Sequence, residues 1–192
     1  MSSKYKPGDD AIAHFVTFTV VGWVDVFSRE LYKEILINSL NFCIENKGLK
    51  LHAWVLMTNH CHLIISTATN RIEYLVRDIK KFTSKQIIQA ISENNKESRR
   101  EWMLNLFRYA ASNNSNNKEY QFWKQDYHPI ELSSVNLLRQ RMDYLHENPV
   151  RSGLVWEASG YKYSSAVDYQ TNRAGLLKIY AAVGEQPPVR WP

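Results

Sequence analysis

The order of patterned segments along the chain predicts an α+β fold of the ferredoxin-like, split βαβ kind: an antiparallel sheet of about four to five strands, the long helices on one face, and a further helix towards the C-terminus. Three observations predict it. Short β-branched and aromatic runs alternate with longer stretches of helical periodicity, in the order β-α-β-β-α-β. Turn or stop residues such as Gly22, Gly48 and Asn59 stand at the junctions. The 192 residues are 44% hydrophobic, which is enough for one domain with a real core and excludes general disorder.

Residues 1–10 read as a flexible polar leader, 11–170 as a single domain with an insertion at about 92–118, and 171–192 as a tail. The leader has no apolar signal core, and no apolar run approaches the roughly 20 residues that a bilayer requires, so a cytoplasmic protein without a membrane partner is expected. The first strand is His14 to Val21, ended by Gly22. Ser28 is placed to cap a helix whose apolar positions include Leu31, Ile35, Leu36, Leu40, Phe42 and Cys43, with Lys47-Gly48 as its stop. Leu49 to Met57 forms the second strand, with Leu51, Ala53, Val55 and Met57 expected on one face, and Asn59 turns the chain into the third strand, His60 to Ser66. Asn70 and Glu73 have capping-box spacing before a long amphipathic helix through Ile72, Leu75, Val76, Ile79, Phe82, Ile87 and Ile91. Within the insertion, Trp102 to Ala111 suits a short helix and 112–118 is a low-complexity loop. Tyr120 to Trp123 is the fourth strand candidate, and Ser133 or Ser134 caps a last helix from about Val135 to Glu147, which Pro149 is expected to end at Asn148. In this fold the face of the sheet opposite the long helices stays free for a site, and the third strand is central.

Net charge is +5, which permits a polyanionic partner without requiring one. The long helix carries Arg77, Lys80, Lys81 and Lys85 on its polar side, suited either to a solvated face or to phosphate contact. Cys43 and Cys61 lack C-x-x-C spacing and read as buried hydrophobes.

His60-Cys61-His62 opens the third strand. Side chains alternate across a strand, so the two imidazoles project side by side while Cys61 points away. Such a pair can bind one divalent cation, and it also suits two strand histidines with ordinary hydrogen bonds. In the last helix, Val135, Leu138, Met142 and Leu145 make the core stripe. Tyr144 and Asn148 fall about 120° or more from it at about 100° per residue. Tyr144 is thus either a stripe-edge tyrosine or a functional one, and Asn148 either a cap or its neighbour one turn on. His146 projects about 160° from Asn148 and reads as structural. His14, His52 and His128 lack ligand spacing.

Together, His60-Cys61-His62 and Tyr144-Leu145-His146-Glu147-Asn148-Pro149-Val150-Arg151-Ser152-Gly153 resemble the single-tyrosine HUH nucleases, and closely the REP-associated tyrosine transposases related to the IS200-like Y1 family. Supporting matches are His14 to Phe18, Lys80 to Lys85, Phe122-Trp123 and Tyr163 to Ser165. The stretch from Asp126 to Pro129, the Asn-rich loop and the tail depart from the pattern.

The resemblance implies a metal-dependent endonuclease and strand transferase on hairpin-bearing single-stranded DNA. Tyr144 would be the nucleophile, forming a 5′-phosphotyrosine, and His60, His62 and Asn148 would hold Mg²⁺ or Mn²⁺. Arg77, Lys80, Lys81, Lys85, Arg139, Arg141 and Arg151 are the expected phosphate contacts, with Trp54 or Trp123 as stacking candidates. Relatives of this kind act as homodimers or as monomers and work at the nucleoid. The alternative is a repeat-binding protein of the same fold that does not cut.

Overall fold

The computed structural model describes residues 12–67, 72–113, 119–125 and 128–181. A four-stranded antiparallel sheet organises them, built from β1 (His14–Thr19), β2 (Leu49–Leu56), β3 (His60–Thr67) and β4 (Ile130–Glu131) in the order β2-β3-β1-β4. This is the α+β, split βαβ arrangement read from the sequence, with β3 between β2 and β1. The helices are α1 (Glu30–Asn46), α2 (Ile72–Glu93), α3 (Arg100–Ser112), α4 (Val135–Arg151) and α5 (Ala166–Gln170). No helix among the described residues is long and apolar enough to cross a membrane.

The sheet separates two cores. On one face Val16, Phe18, Trp54, Leu56, Cys61, Leu63 and Ile65 pack with Tyr32, Leu36 and Leu40 of α1 and Leu75, Ile79 and Ile87 of α2. On the other, Phe15, Ala53, Val55, Met57 and Ile64 meet Leu132 and the α4 stripe Leu138, Met142 and Leu145. Each large side chain buried this way contributes about 1.5–3 kcal/mol. The second face is therefore not left open along its length, because α4 covers part of it.

Several local expectations are corrected. The register of β2 slips between Leu51, which pairs with Ile65, and Ala53, which pairs with Ile64. That bulge turns Leu51 to the α1–α2 face while Ala53, Val55 and Met57 stay on the α4 face. The fourth strand is Ile130–Glu131, not Tyr120 to Trp123. The latter segment makes one bridge, Val20 to Trp123, and its backbone bonds go to Phe107 and Val21, with the following Lys124 N–H bonded to Thr19 O, as it follows the chain out of β1. Ser28 ends a 3₁₀ turn, and α1 begins at Glu30 without a side-chain cap. Leu31, Phe42 and Phe82 are exposed. Beside Phe82, Thr83 takes the inward position and accepts a hydrogen bond from Trp123 Nε1 at 3.0 Å. The proposed cap at Asn70, the leader and most of the Asn-rich loop lie outside the described residues.

Pro149 does not end α4. The helix runs on to Arg151 and closes with Gly153 N–H bonded to Val150 O and Leu154 N–H to Pro149 O, Gly153 having φ 73°. This is the Schellman closure, and glycine supplies its left-handed residue. Ser134 caps the other end, accepting from Leu137 N–H at 3.2 Å. Beyond α5, Leu177 and Ile179 are buried in the α1–α2 core and Tyr180 N–H bonds to Leu51 O, so the first part of the expected tail is packed against β2.

Candidate active site

Antiparallel pairing sets Thr17 of β1 opposite His62 and Thr19 opposite His60, on the sheet face that α4 covers. The two imidazoles stand with ring centroids 4.8 Å apart. Each has one nitrogen engaged. His60 Nδ1 donates to Asn59 Oδ1 at 2.6 Å; an amide oxygen only accepts, so the proton is on Nδ1 and Nε2 carries the lone pair. His62 Nδ1 lies 2.8 Å from Thr17 Oγ1, and its Nε2 is buried with no hydrogen-bond partner. Burial pushes His60 below the ordinary imidazole range. Burial, helped by His60 and the Arg141 guanidinium, pushes His62 down to about 3. Both rings are thus neutral at physiological pH, the form that ligates metals.

Tyr144 comes to this pair from α4. Its ring centroid is 5.4 Å from that of His62 and 6.1 Å from Phe15, which itself stacks on His62 at 5.1 Å. The side chain is not sealed in packing, being 36% exposed. Arg151 lies 5.7 Å from the tyrosine ring, and Arg141 lies 5.4 Å from the Phe15 ring with its Nε buried and unpartnered. One turn after Tyr144, Asn148 donates through Nδ2 to the Tyr144 carbonyl at 2.8 Å, which leaves Oδ1 as the atom it can offer. The convergence occurs within one chain.

Among the described residues no group of three His, Cys, Asp or Glu side chains could hold a metal. A cation at this place would draw on the two imidazoles. The orphaned, buried His62 Nε2, in a ring packed against a second neutral imidazole, fits that use.

The other residues singled out in the sequence lie elsewhere. His146 is buried with Nε2 2.8 Å from Ser165 Oγ, and burial holds it down at about 4. Arg139 is exposed about 140° around α4 from Tyr144. Arg77, Lys80, Lys81 and Lys85 line a groove of about 990 Å³ between α2 and residues 119–125, beside the α1–α2 face of the sheet. Lys124 joins them there, against Glu73 and Glu119. Lys80 is committed, donating to Lys124 O at 2.6 Å, and Arg77 pairs with Asp78 at 3.3 Å. Trp54 and Trp123 are buried, so neither can take a base. The sequence reading missed Phe15, Thr17, Asn59 and Trp23. Polar Thr17 and Thr19, alternating with Val16 and Phe18, were the one available signal, and only the strand register turns it into a contact.

These features define a sheet-borne histidine pair faced by a helix-borne tyrosine. The sequence family described as "Transposase IS200 like" matches residues 10–125, more than half of the chain, and the protein belongs to that family. The matched stretch includes His60 and His62 and stops before α4. The fold is similar to that of a REP-associated tyrosine transposase solved bound to a REP hairpin, with 15% identity over 100% of this chain and 99% of that one and a TM-score of 0.54. A protein from Deinococcus radiodurans R1, described as a candidate transposase, covers 76% of this chain and 97% of its own at 16% identity and a TM-score of 0.44. No curated protein sequence matches the chain.

Proposed function

We propose that this transposase-family protein nicks and rejoins hairpin-bearing single-stranded DNA through a covalent 5′-phosphotyrosine at Tyr144. The observation that carries this reading is the part-exposed Tyr144 ring packed edge-on against the His62 ring, whose buried Nε2 has no hydrogen-bond partner. Tyr144 Oη forms a bond to phosphorus as the bond from phosphorus to the 3′-oxygen breaks. The phenol proton is given up and the departing 3′-oxygen takes one on, leaving a free 3′-hydroxyl. The phosphotyrosine conserves the energy of the diester, so a 3′-hydroxyl can reverse the step without ATP.

Within the site, Phe15 and His62, stacked on each other, present neighbouring surfaces to the tyrosine ring. Asn59 fixes the His60 tautomer, and Thr17 orients the His62 ring through Nδ1. Arg151 and Arg141 bring positive charge to the place where the pentavalent phosphate develops negative charge. Mg²⁺ or Mn²⁺, held by His60, His62 and Asn148 when bound, supplies Lewis-acid polarisation of the phosphate oxygens. Arg77, Lys81, Lys85 and Lys124 offer a phosphate track in the α2 groove, whereas Lys80 serves first to tie residue 124 to α2. The hairpin is proposed from the hairpin-bound structural relative.

The test is incubation with hairpin-bearing single-stranded DNA and Mn²⁺, followed by denaturing electrophoresis. A protein–DNA adduct that disappears with Tyr144→Phe is expected. Cleavage that survives the substitution, or binding with no cleavage, contradicts the reading.

A further inference from the structure

One large apolar side chain beside the imidazoles is left largely outside the core. Val20, Val24, Val26 and Phe27 are all buried where the chain leaves β1, yet Trp23 among them is 56% exposed. Its backbone is left-handed, φ 57°, directly after Gly22 at φ 66°, and it is the one non-glycine with positive φ among the described residues. Holding a bulky residue there costs on the order of 1 kcal/mol. The hydrophobic effect favours the opposite outcome, an indole turned inward on relaxed backbone.

One backbone bond and two ring contacts fix where the indole stands. Asn59, whose Oδ1 orients His60, donates through Nδ2 to the Trp23 carbonyl at 3.3 Å. The indole and the His60 ring meet nearly at right angles with centroids 6.0 Å apart. Lys124 Nζ sits over the indole, 4.5 Å from its centroid. Lys124 also lines the cationic groove against α2. The indole therefore stands at the sheet end between two features on opposite faces: a groove of positive charge and the paired imidazoles.

Chemistry narrows what such a platform binds. A paired duplex keeps its base faces stacked, whereas an unpaired nucleotide offers a π-face with a phosphate beside it, matching an indole with an ammonium at its side. We propose that Trp23 and Lys124 form a stacking subsite for one unpaired DNA base, through which a single strand passes from the α2 groove to the imidazole pair. The identity of the ligand as DNA rests on the nuclease reading. Lys124 covers one face of the indole and the base takes the other. Trp23 is thus a positioning residue that sets which phosphodiester lies under Tyr144.

The test uses the full chain carrying Tyr144→Phe, in buffer with EDTA, titrated with short single strands bearing 2-aminopurine at successive positions. Trp23→Ala, Trp23→Leu and Trp23→Phe are made in that background. The parent should quench the probe strongly at one position. The Ala and Leu variants should lose that quench and bind about 5- to 150-fold more weakly, and Phe should restore most of both. Equal melting temperatures are expected, because the side chain is exposed. Ala or Leu variants that quench and bind like the parent overturn the subsite, as does a loss that Phe fails to restore. Adduct formation by protein with Tyr144 intact separates the two readings. Trp23-dependent quenching without any adduct keeps the subsite and removes the nuclease, and adduct without that quenching does the reverse. A parent that binds no single strand overturns both.

Discussion

The two sides of β3 carry the same kind of backbone and meet opposite fates. Cys61, Leu63 and Ile65 turn towards α1 and α2 and are fully buried among apolar side chains. His60, His62 and Ile64 turn towards α4, and there two polar rings stand within the packing. Loss of water acts on both sides. It pushes the Cys61 thiol up to about 12, which keeps it protonated and inert, and pushes His62 down to about 3, which keeps an imidazole lone pair ready. Burial therefore disarms one side chain and arms its neighbour, and the outcome depends on which protonation state is the reactive one.

That contrast breaks most sharply at Tyr144. Tyr144→Phe removes one part-exposed hydroxyl, so stability should change by less than about 0.5 kcal/mol while adduct formation falls on the order of 10³-fold or more. Quantifying adduct by gel alongside urea unfolding checks both halves. On the opposite side, Leu63→Ala should leave the imidazoles in place and lower stability by about 3 kcal/mol, read as the shift of the urea midpoint. If Leu63→Ala proves mild and Tyr144→Phe destabilising, the division of labour across the sheet is wrong.

Two buried histidines on the α4 side sharpen the comparison. His146 has its Nε2 engaged by Ser165, whereas His62 Nε2 has no partner, so the first is spent on structure. An imidazole in the unfolded chain takes up its proton near pH 6.5, and burial holds folded His146 at about 4. Between those values the unfolded state binds the extra proton. Stability is therefore fully present above 6.5 and falls as pH drops towards 4, by at most about 3 kcal/mol from this group. His62, held at about 3, and His60, also lowered, add to the same slope. Urea midpoints of metal-free protein between pH 4 and 7 should therefore fall steeply towards acid, and His146→Gln should remove only the His146 share, less than half of it. Thr17→Val tests the other ring. It keeps the shape beside His62 while removing the oxygen that orients Nδ1, and Mn²⁺ affinity measured by calorimetry should fall about 10- to 100-fold.

The long helices and the placement of Tyr144 away from the α4 core stripe were legible because periodicity encodes which side faces the core, and the central place of β3 followed from the order of elements; the fourth strand did not. His146 was legible for the same reason, lying on the opposite side of the helix from Asn148. What stayed hidden depends on partners distant in sequence. The bulge at His52 is set by pairing with β3 and by Tyr180, whose carbonyl lies 3.0 Å from His52 Nδ1. Thr17 meets His62 only through register. Trp123 looked available for stacking because nothing local reveals the Thr83 hydroxyl that accepts its indole proton. Trp23 was passed over since an exposed indole on left-handed backbone has no signature in composition.

The end of α4 gives the smallest effect and bears on how firmly one helix can hold a site. Pro149 suggested a stop at Asn148, but Ser152-Gly153 supplies the real closure, and that closure keeps Asn148 and Arg151 on helical backbone beside Tyr144. A Cβ added at Gly153 meets nothing within 4 Å, so the cost of Gly153→Ala is purely that of left-handed backbone, about 1 kcal/mol. Melting temperature should fall by about 2–4 °C, and Gly153→Asn should lose less, since asparagine tolerates that conformation. If the last turn frays, Mn²⁺ affinity should fall with Gly153→Ala more than with an equally destabilising change on the α1–α2 side. Equal losses from the two would mean that the helix end holds nothing in particular, and that Asn148 is a capping residue rather than a ligand.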